Sequence, residues 1–339
     1  MKLMARSHLF VPSLTLGLCL LSCQAGPTAP STTETASPTA IAPPPGQIST
    51  QPLTPQPIRI QPEQLPAPLS SNSASKPPNV LPIPPNPTLN VPAGFRVNVF
   101  AEGLDRPRWL ALTPTGDVLV TETRQNRIRL LQDRDRDGVA DRQSTFAGPD
   151  QGLDQPFGMA FSQDAFFLGN TAAVLRFPYQ PGQTQLQSPG TKITDLPGGG
   201  YNQHWTRNVI VAPDQQKLYV SIGSRSNVDI EDLPRASIQV MNLDGSDRQT
   251  YASGLRNPVG LAFHPQTKTL YTTVNERDGL GDDLVPDYLA QLQPGQFYGW
   301  PYAYLSPRFI DPNHAQNGQS VRPDLVAQTA SPAVLFQAH

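Results

Sequence analysis

Short apolar runs separated by polar turns dominate the chain from about Gly94 to its C-terminus. The runs are rich in aliphatic and aromatic residues, and Gly, Pro, Asp and Asn interrupt them. Helical periodicity is nearly absent. Such a pattern is typical of many short strands joined by turns, so it predicts an all-β domain over residues 94–339.

One unit recurs within this pattern. An apolar strand closes in Pro or a polar turn, and a second strand follows; the equivalent positions in the four copies are Ala111, Ala160, Ile210 and Ala262. The intervals between these positions are 49, 50 and 52 residues. Four strands in about 50 residues correspond to one propeller blade, and a sandwich does not normally repeat its sequence. We therefore predict a β-propeller.

The repeat accounts for about four and a half blades. Residues 94–300 hold four blades, and a fifth is predicted to begin near residues 330–336. A propeller closes by joining its last blade to its first, and an open ring exposes strand edges. The sequence therefore favours a fragment, a truncated gene product, or a ring completed by blades from elsewhere.

The N-terminus has the features of an export signal. Lys2 and Arg6 precede an apolar run over residues 9–21, which is too short to span a bilayer. Residues 20–23, Leu-Leu-Ser-Cys, resemble the lipobox of bacterial lipoproteins. This resemblance implies a signal peptide over residues 1–22 and lipidation at Cys23. The alternative is an ordinary secretory signal with an incidental cysteine.

A lipid anchor implies a protein of the bacterial cell envelope that faces the periplasm and touches the membrane only through its lipid. Residues 23–93 are predicted to form a spacer between the membrane and the domain of residues 94–339. Nineteen of the 39 prolines fall between Gln24 and Pro92, together with Ser, Thr, Gln and Ala. This composition cannot bury enough apolar surface to fold, so it predicts a disordered, extended linker.

Charge and cysteine content narrow the possible functions. The net charge of −2 leaves no excess of Lys and Arg to neutralise phosphates, so nucleic acid is not expected as a partner. Cys19 and Cys23 are the only cysteines, so residues 94–339 have no disulfide and no thiolate chemistry. Neither a Ser–His–Asp order nor a zinc-type cluster is convincing. His264 lies in a predicted turn and is expected to be exposed.

The register of the repeat predicts which polar residues meet. In a propeller the first strand of each blade lines the central channel, and the residues before it lie at one mouth. Two successive positions there are polar or aromatic in every copy: Asp105, Asp154, His204 and Arg256, then Arg106, Gln155, Trp205 and Asn257. We therefore expect His204 and Arg256 to face one pocket.

These two side chains suit a proton abstraction. A histidine near neutral pKa can act as a general base, and an arginine can stabilise a developing oxyanion. Together they fit removal of a proton from an alcohol while charge builds on an acceptor. A hydrogen-bonded histidine and a structural arginine remain the alternative on spacing alone.

Three ordered segments resemble the soluble quinoprotein glucose dehydrogenase and sorbosone dehydrogenase family. Residues 204–208, His-Trp-Thr-Arg-Asn, are similar to its catalytic-histidine segment. Residues 256–260, Arg-Asn-Pro-Val-Gly, and 298–301, Tyr-Gly-Trp-Pro, are similar to two further family segments. The similarity extends from about Gly94 to His339.

The resemblance implies a six-bladed propeller that binds pyrroloquinoline quinone (PQQ) with calcium and oxidises aldoses or related sugars, passing electrons to an external acceptor. By this resemblance His204 is the general base and Arg256 stabilises charge on the quinone oxygen. The residues expected at the cofactor are Asn257, Asn275, Glu276 and Arg277. Those expected at the substrate are Gln155 and Trp300.

A second calcium signal lies in the first blade. Residues 133–141 place carboxylates at positions 1, 3, 5 and 9 and a glycine at position 6 of a loop, a spacing that can wrap a calcium ion. The predicted ligands are Asp133, Asp135, Asp137 and Asp141. The twelfth position is Ser144 rather than Glu, so this is not a complete EF-hand loop. A solvated acidic turn is the alternative.

Three functions are compatible with the sequence. The first is a PQQ-dependent sugar dehydrogenase. Its activity is expected to be reduced, because in the family the later blades carry basic residues that hold the quinone, and such residues are not present here. The second is a non-catalytic envelope propeller that binds a sugar or a protein. The third is a metal-dependent, lactonase-like propeller, which Asp105 and Asp154 favour weakly. His204 and Arg256 in one register favour the first.

Overall fold

The computed structural model describes residues 46–74 and 77–339. The predicted signal peptide over residues 1–22, Cys23 and about the first third of the predicted linker lie outside the described residues. Within the described part of the chain, no helix combines the length and the hydropathy needed to cross a bilayer.

A small sheet precedes the propeller. It contains β1 (Gln47–Pro52), β2 (Thr88–Val91) and β3 (Val97–Asn98), in the order β2-β1-β3, and a 3-10 turn at Pro62–Gln64 lies between β1 and β2. β1 is parallel to β2 and antiparallel to β3. Part of the stretch predicted as a disordered linker is therefore paired as strands.

Backbone and hydroxyl hydrogen bonds tie this stretch to the rest of the molecule. The Leu69 N–H donates to the carbonyl oxygen of Leu280 at 2.6 Å. The hydroxyls of Ser73 and Ser71 accept from the N–H groups of Gly281 and Asp282 at 2.9 and 3.0 Å. Composition indicates only how much apolar surface a segment can bury, so it does not predict polar contacts of this kind.

Four antiparallel sheets follow, each with its strands in sequence order. Blade 1 is β4 (Leu110–Leu112), β5 (Val118–Glu122), β6 (Arg127–Gln132) and β7 (Arg142–Ala147). Blade 2 is β8 (Met159–Phe161), β9 (Ala165–Gly169), β10 (Ala173–Pro178) and β11 (Thr191–Asp195). Blade 3 is β12 (Val209–Val211), β13 (Lys217–Ile222), β14 (Ser237–Asn242) and β15 (Gln249–Ser253).

Blade 4 begins with β16 (Asn257–Phe263), β17 (Leu270–Asn275) and β18 (Tyr288–Gln291). The chain then forms β19 (Gln296–Phe297), which joins the outer edge of blade 3, and a hairpin of β20 (Ala315–Gln316) and β21 (Gln319–Ser320). The short helix α1 (Pro323–Val326) and β22 (Val334–Leu335) complete the described elements, apart from 3-10 turns at Thr123–Gln125, Pro149–Gln151 and Pro312–His314.

The strand predicted to open a fifth blade belongs instead to blade 4. β22 pairs antiparallel with β18, so it is the fourth and outermost strand of that sheet. The described residues therefore form four complete blades, not four and a half. The prediction was wrong because residues 292–333, which have no counterpart in the other blades, displace the fourth strand far along the sequence.

Strand pairing confirms the predicted register. The four equivalent residues each face the second strand of their own blade, in the pairs Ala111–Leu119, Ala160–Phe167, Ile210–Tyr219 and Ala262–Tyr271. Each first strand thus pairs with the second strand of its blade at the equivalent position. The residues that precede these strands consequently lie at one end of the propeller.

Three hydrophobic cores each lie between two neighbouring blades, and a smaller one lies within residues 297–326. β9 is buried on both faces, and its side chains alternate: Phe166 and Leu168 pack with blade 1, whereas Phe167 packs with blade 3. A third core joins blades 3 and 4. The period-two alternation of a strand explains how one short apolar run contributes to two cores. On blade 1, Leu110 and Leu112 are 65% and 67% exposed.

Candidate functional site

His204 lies in the segment that leads into β12, and its ring has a defined tautomer. Nδ1 is 3.0 Å from the carbonyl oxygen of Ser224 and 2.9 Å from its hydroxyl oxygen, and that hydroxyl donates to the carbonyl of Ser226 at 2.5 Å. Because a carbonyl oxygen can only accept, Nδ1 carries the ring proton of the neutral imidazole. Nε2 keeps its lone pair and bonds to no group among the described residues.

The surroundings of His204 keep this ring neutral. The residue is only 8% exposed. Burial and the positive charge of Arg256 lower the pKa of His204 to about 4, and Arg207 acts in the same direction. The carbonyl of Ser224 and the carboxylate of Asp278 oppose the shift. A neutral imidazole with a free nitrogen can accept a proton across the neutral pH range.

We expect the ring-proton NMR signals of His204 to titrate with a midpoint near pH 4. Spectra of His204→Asn would assign the signals. Replacing Arg256 with methionine removes a cation that disfavours the protonated ring, so the midpoint should move upward. A wild-type midpoint at the ordinary histidine value would contradict the buried, neutral ring.

The turn after β13 brings His204 next to the start of blade 4. The Ser224 N–H donates to the carbonyl oxygen of Arg256 at 2.7 Å. A Cβ on Gly223 would lie 2.5 Å from the Cβ of His204 and 2.7 Å from Oδ1 of Asn257, closer than such atoms approach. Only glycine fits there, so the structure places His204, Arg256 and Asn257 around this turn.

Arg256 is a buried cation with several acceptors. It is 1% exposed, and Nη2 lies 2.9 Å from Asp278 Oδ2 and 2.8 Å from Asn227 Oδ1. Nη1 donates to the carbonyl oxygens of Asn275, at 3.4 Å, and Glu276. Burial lowers the pKa of Arg256 and Asp278 opposes the shift, but a guanidinium stays charged at neutral pH. A fixed cation of this kind can stabilise negative charge that develops nearby.

Asn257 offers an unused polar atom beside these two side chains. Its Oδ1 is buried and has no hydrogen-bond partner among the described residues. Buried polar atoms are normally satisfied, and an exception next to a base and a cation is what a polar cofactor would correct. Because an amide oxygen only accepts, the residues present fit a polar ligand with a ring N–H at Asn257 Oδ1 and developing negative charge near Arg256, as a heterocyclic quinone would offer.

The 275–277 segment differs in part from its predicted role. The carbonyl oxygens of Asn275 and Glu276 are directed at the Arg256 guanidinium, and the Asn275 amide donates to Asp287 at 3.0 Å. The Glu276 carboxyl is fully buried, and burial raises its pKa to about 7. These two carbonyl oxygens thus lie beside the site, where they accept hydrogen bonds from Arg256.

Arg277, a predicted cofactor residue, forms an internal ion pair with Asp311. Its Nη1 lies 3.1 and 3.0 Å from the two carboxylate oxygens of Asp311, and both side chains are almost completely buried. Nη1 also donates to Asn313 Oδ1 at 2.8 Å. The side chain therefore joins the 275–277 segment to the 311–313 turn, which suits a structural anchor.

The two predicted substrate residues lie in different environments. Gln155 is exposed, and its Oε1 accepts from Thr171 Oγ1 at 3.3 Å, while the same hydroxyl donates to the carbonyl of Trp205 at 3.1 Å. Trp300 is only 3% exposed, and its Nε1 donates to the carbonyl of Asn227 at 3.0 Å. Gln155 can therefore reach a ligand, whereas Trp300 is buried and shares the Asn227 carbonyl oxygen with Arg256.

Three of the four predicted calcium ligands come together. Oxygens of Asp133, Asp135 and Asp141 lie within 4.8 Å of one another. The carboxylate of Asp137 turns back instead and accepts from the Val139 N–H at 2.8 Å. Asp137 thus lies outside the cluster of three, and its role as a calcium ligand stays a prediction.

Several residues of the site have no signature in the sequence repeat. Ser224, Asn227 and Asp278 lie in loops after second strands, where one copy need not resemble the next. Asp278 also contacts the ring of His339, Nε2 to Oδ1, at 3.2 Å. Hydrogen bonds to Asp278 and Asp287 raise the pKa of His339 to about 10. No pattern in the sequence pointed to these loop residues.

Comparisons with known proteins identify the family of the chain and structures of similar fold. Residues 89–302 match the family model described as TrAA12-like. A Trichoderma reesei member of carbohydrate-active enzyme family AA12 has a TM-score of 0.60 at 20% identity, over 71% of this chain and 70% of that one. The holo PQQ domain of a Coprinopsis cinerea pyranose dehydrogenase has a TM-score of 0.60 at 18% identity, over 74% and 70%.

A third structure, the PQQ-bound form of an aldose sugar dehydrogenase from Streptomyces coelicolor, has a TM-score of 0.50 at 20% identity and covers 71% of each chain. At these identities the likeness shows the shared propeller fold. A curated relative from Borreliella burgdorferi is 25% identical over 227 residues, and the chain spans 57% of its length.

Proposed function

The chain belongs to the TrAA12-like family, and from this premise we propose that it oxidises an aldose or related sugar with PQQ as its cofactor. The observation that carries the proposal is the unprotonated, unpartnered Nε2 of His204 beside the buried cation of Arg256. A base with a free lone pair and a fixed positive charge are the two groups that alcohol oxidation requires of the protein.

His204 would take the hydroxyl proton of the sugar at Nε2. The bond from Nδ1 to Ser224 orients the ring and would stabilise the imidazolium that results, since the Ser224 carbonyl can accept from either form. PQQ, when bound, would supply the two-electron acceptor. Arg256 would act on it through charge rather than through a hydrogen bond, because its N–H groups already donate to neighbouring protein oxygens. The unsatisfied Oδ1 of Asn257 could accept from a ring N–H of the cofactor.

The names of two solved structures support the proposed substrate class. Two similar proteins are described as a pyranose dehydrogenase and an aldose sugar dehydrogenase, both with PQQ. Gln155 is the exposed polar side chain of the neighbouring blade that can bond to sugar hydroxyls. The chain covers about 70% of these structures, so the activity of the whole protein is part of the proposal.

Reconstitution tests the proposal. The purified protein would be incubated with PQQ and calcium, and reduction of an electron-accepting dye would be followed with a panel of aldoses. We expect sugar-dependent dye reduction that requires PQQ. Sugar binding by calorimetry without dye reduction would instead support a non-catalytic propeller and overturn the enzymatic proposal.

We also propose a structural calcium ion at the loop of residues 133–141. Besides the three clustered carboxylates, Asp133 Oδ1 is buried without a hydrogen-bond partner, and Gly138 adopts the positive φ, 89°, that the turn requires. The hard oxygen donors suit Ca²⁺. Two Arg residues on the same loop offset part of its charge.

Calcium is therefore expected to raise the melting temperature of the apo-protein, and Asp135→Asn should abolish the increase. Asp214→Asn is the matched control, because Asp214 also lies in an exposed surface turn but belongs to no acidic cluster among the described residues. Differential scanning fluorimetry with and without calcium measures both. Equal stabilisation of the two variants would contradict this site.

A further inference from the structure

Residues 224–231, part of the loop between β13 and β14, contact both the proposed base and the buried cation of the site. At its start, Ser224 holds the ring of His204 through its carbonyl oxygen and hydroxyl. In its middle, the backbone and side chain of Asn227 make five hydrogen bonds to Arg256, Asp278 and Trp300. One short loop thus contacts the base on one side and the cation on the other.

The side chain of Asn227 uses both halves of its amide. Oδ1 accepts from Arg256 Nη2 at 2.8 Å and from the Asp278 N–H at 3.0 Å. Nδ2 donates to the Asp278 carbonyl oxygen at 3.0 Å. A carboxylate could not donate and an aliphatic side chain could do neither, so these bonds require an amide. The guanidinium is thereby fixed relative to the loop.

Glu231 holds the same loop in one conformation. Its Oε2 accepts from the Arg225 N–H at 2.6 Å, and its Oε1 accepts from the N–H and the hydroxyl of Ser226 at 2.8 and 3.0 Å. Charge-assisted bonds to backbone donors are among the stronger local restraints. These bonds therefore restrain the segment between Ser224 and Asn227. They also restrain the distance between the two groups that this segment contacts, the His204 ring and the Arg256 guanidinium.

We propose that Asn227 is a positioning residue, which fixes the Arg256 guanidinium at a set distance from His204 through the 224–231 loop. The inference rests on the proposed function for its catalytic meaning, but the positioning itself is a property of the apo-protein. Misplacement of a catalytic group by about 1 Å can cost on the order of 100-fold in rate.

The first test needs no cofactor. The charged groups that act on the His204 ring are Arg256, Arg207 and Asp278. Asn227→Ala removes the Oδ1 acceptor, so the Arg256 guanidinium is released and the NMR titration midpoint of His204 should rise. In the Arg256→Met background the same substitution should have no further effect. Asn242→Ala is the matched control, because Asn242 Oδ1 accepts from the Lys217 ammonium at 2.8 Å elsewhere in blade 3.

The second test uses the PQQ-loaded enzyme. Asn227→Ala is expected to lower kcat about 10- to 100-fold with little change in KM, and Asn227→Asp should restore only part of the rate because it cannot donate to Asp278. Wild-type inactivity would remove the proposed function but leave the NMR test standing. An unchanged His204 midpoint in Asn227→Ala, or an equal loss of kcat with and without Arg256, would overturn the positioning role.

Discussion

Replacing His204 with asparagine is expected to lower the kcat of the PQQ-loaded protein by about 10²–10⁴-fold, the usual contribution of a positioned general base. The asparagine amide can still donate to the Ser224 carbonyl, so the turn around Gly223 should keep its conformation. What it cannot do is accept a proton from the sugar hydroxyl. The measurement is the initial rate of sugar-dependent dye reduction at saturating sugar.

His264→Asn is the matched control for this substitution. His264 is exposed, and its Nδ1 only accepts a hydrogen bond from the Thr267 N–H in a surface turn. Circular dichroism and the melting temperature should match wild type for both variants. Retention of more than about a tenth of the wild-type kcat in His204→Asn would show that another group takes the proton.

Removing the carboxylate of Asp311 is expected to destabilise the fold by about 3–5 kcal/mol, the usual cost of leaving a buried charge without its partner. Asp311 accepts from Arg277 through both oxygens, and neither side chain has appreciable exposure. It also caps the turn that follows by accepting from the Asn313 N–H at 2.8 Å. In Asp311→Ala the Arg277 guanidinium stays buried and loses its counterion.

Urea denaturation at fixed calcium concentration measures this loss. Asp324→Ala is the matched control, because Asp324 forms an exposed pair with Arg322 that water and salt screen. That variant should unfold at nearly the wild-type urea concentration. If Asp311→Ala and Asp324→Ala behaved alike, the buried pair would not anchor the 275–277 segment as argued above.

The sequence was informative where the structure repeats. The register of Ala111, Ala160, Ile210 and Ala262 predicted the blades because each copy must satisfy the same pairing and the same alternation between two cores. Its extension to the polar residues before the first strands pointed to His204 and Arg256. Periodicity reports constraints that every blade shares.

The remaining features depend on loops that occur once. No pattern indicates that Ser224 would orient His204, that Arg277 would pair with Asp311, or that Trp300 would be buried. These contacts join residues tens of positions apart through backbone carbonyls and single side chains. The prediction of a disordered linker differed from the structure for a related reason. Composition describes a tendency to bury apolar surface, and it does not describe individual bonds between serine hydroxyls and a neighbouring backbone.

Three of the cores lie between two blades, and this placement has a consequence for local opening. Among the described residues, blades 2 and 3 each have a core on both faces, whereas blades 1 and 4 each have a core on one face only. Where stability is a sum of nearest-neighbour terms, a unit packed on one face opens more readily than a unit packed on both faces. His204 precedes the first strand of blade 3, and Arg256 precedes the first strand of blade 4. Ser224, which bonds to both residues, therefore joins a blade with two packed faces to a blade with one.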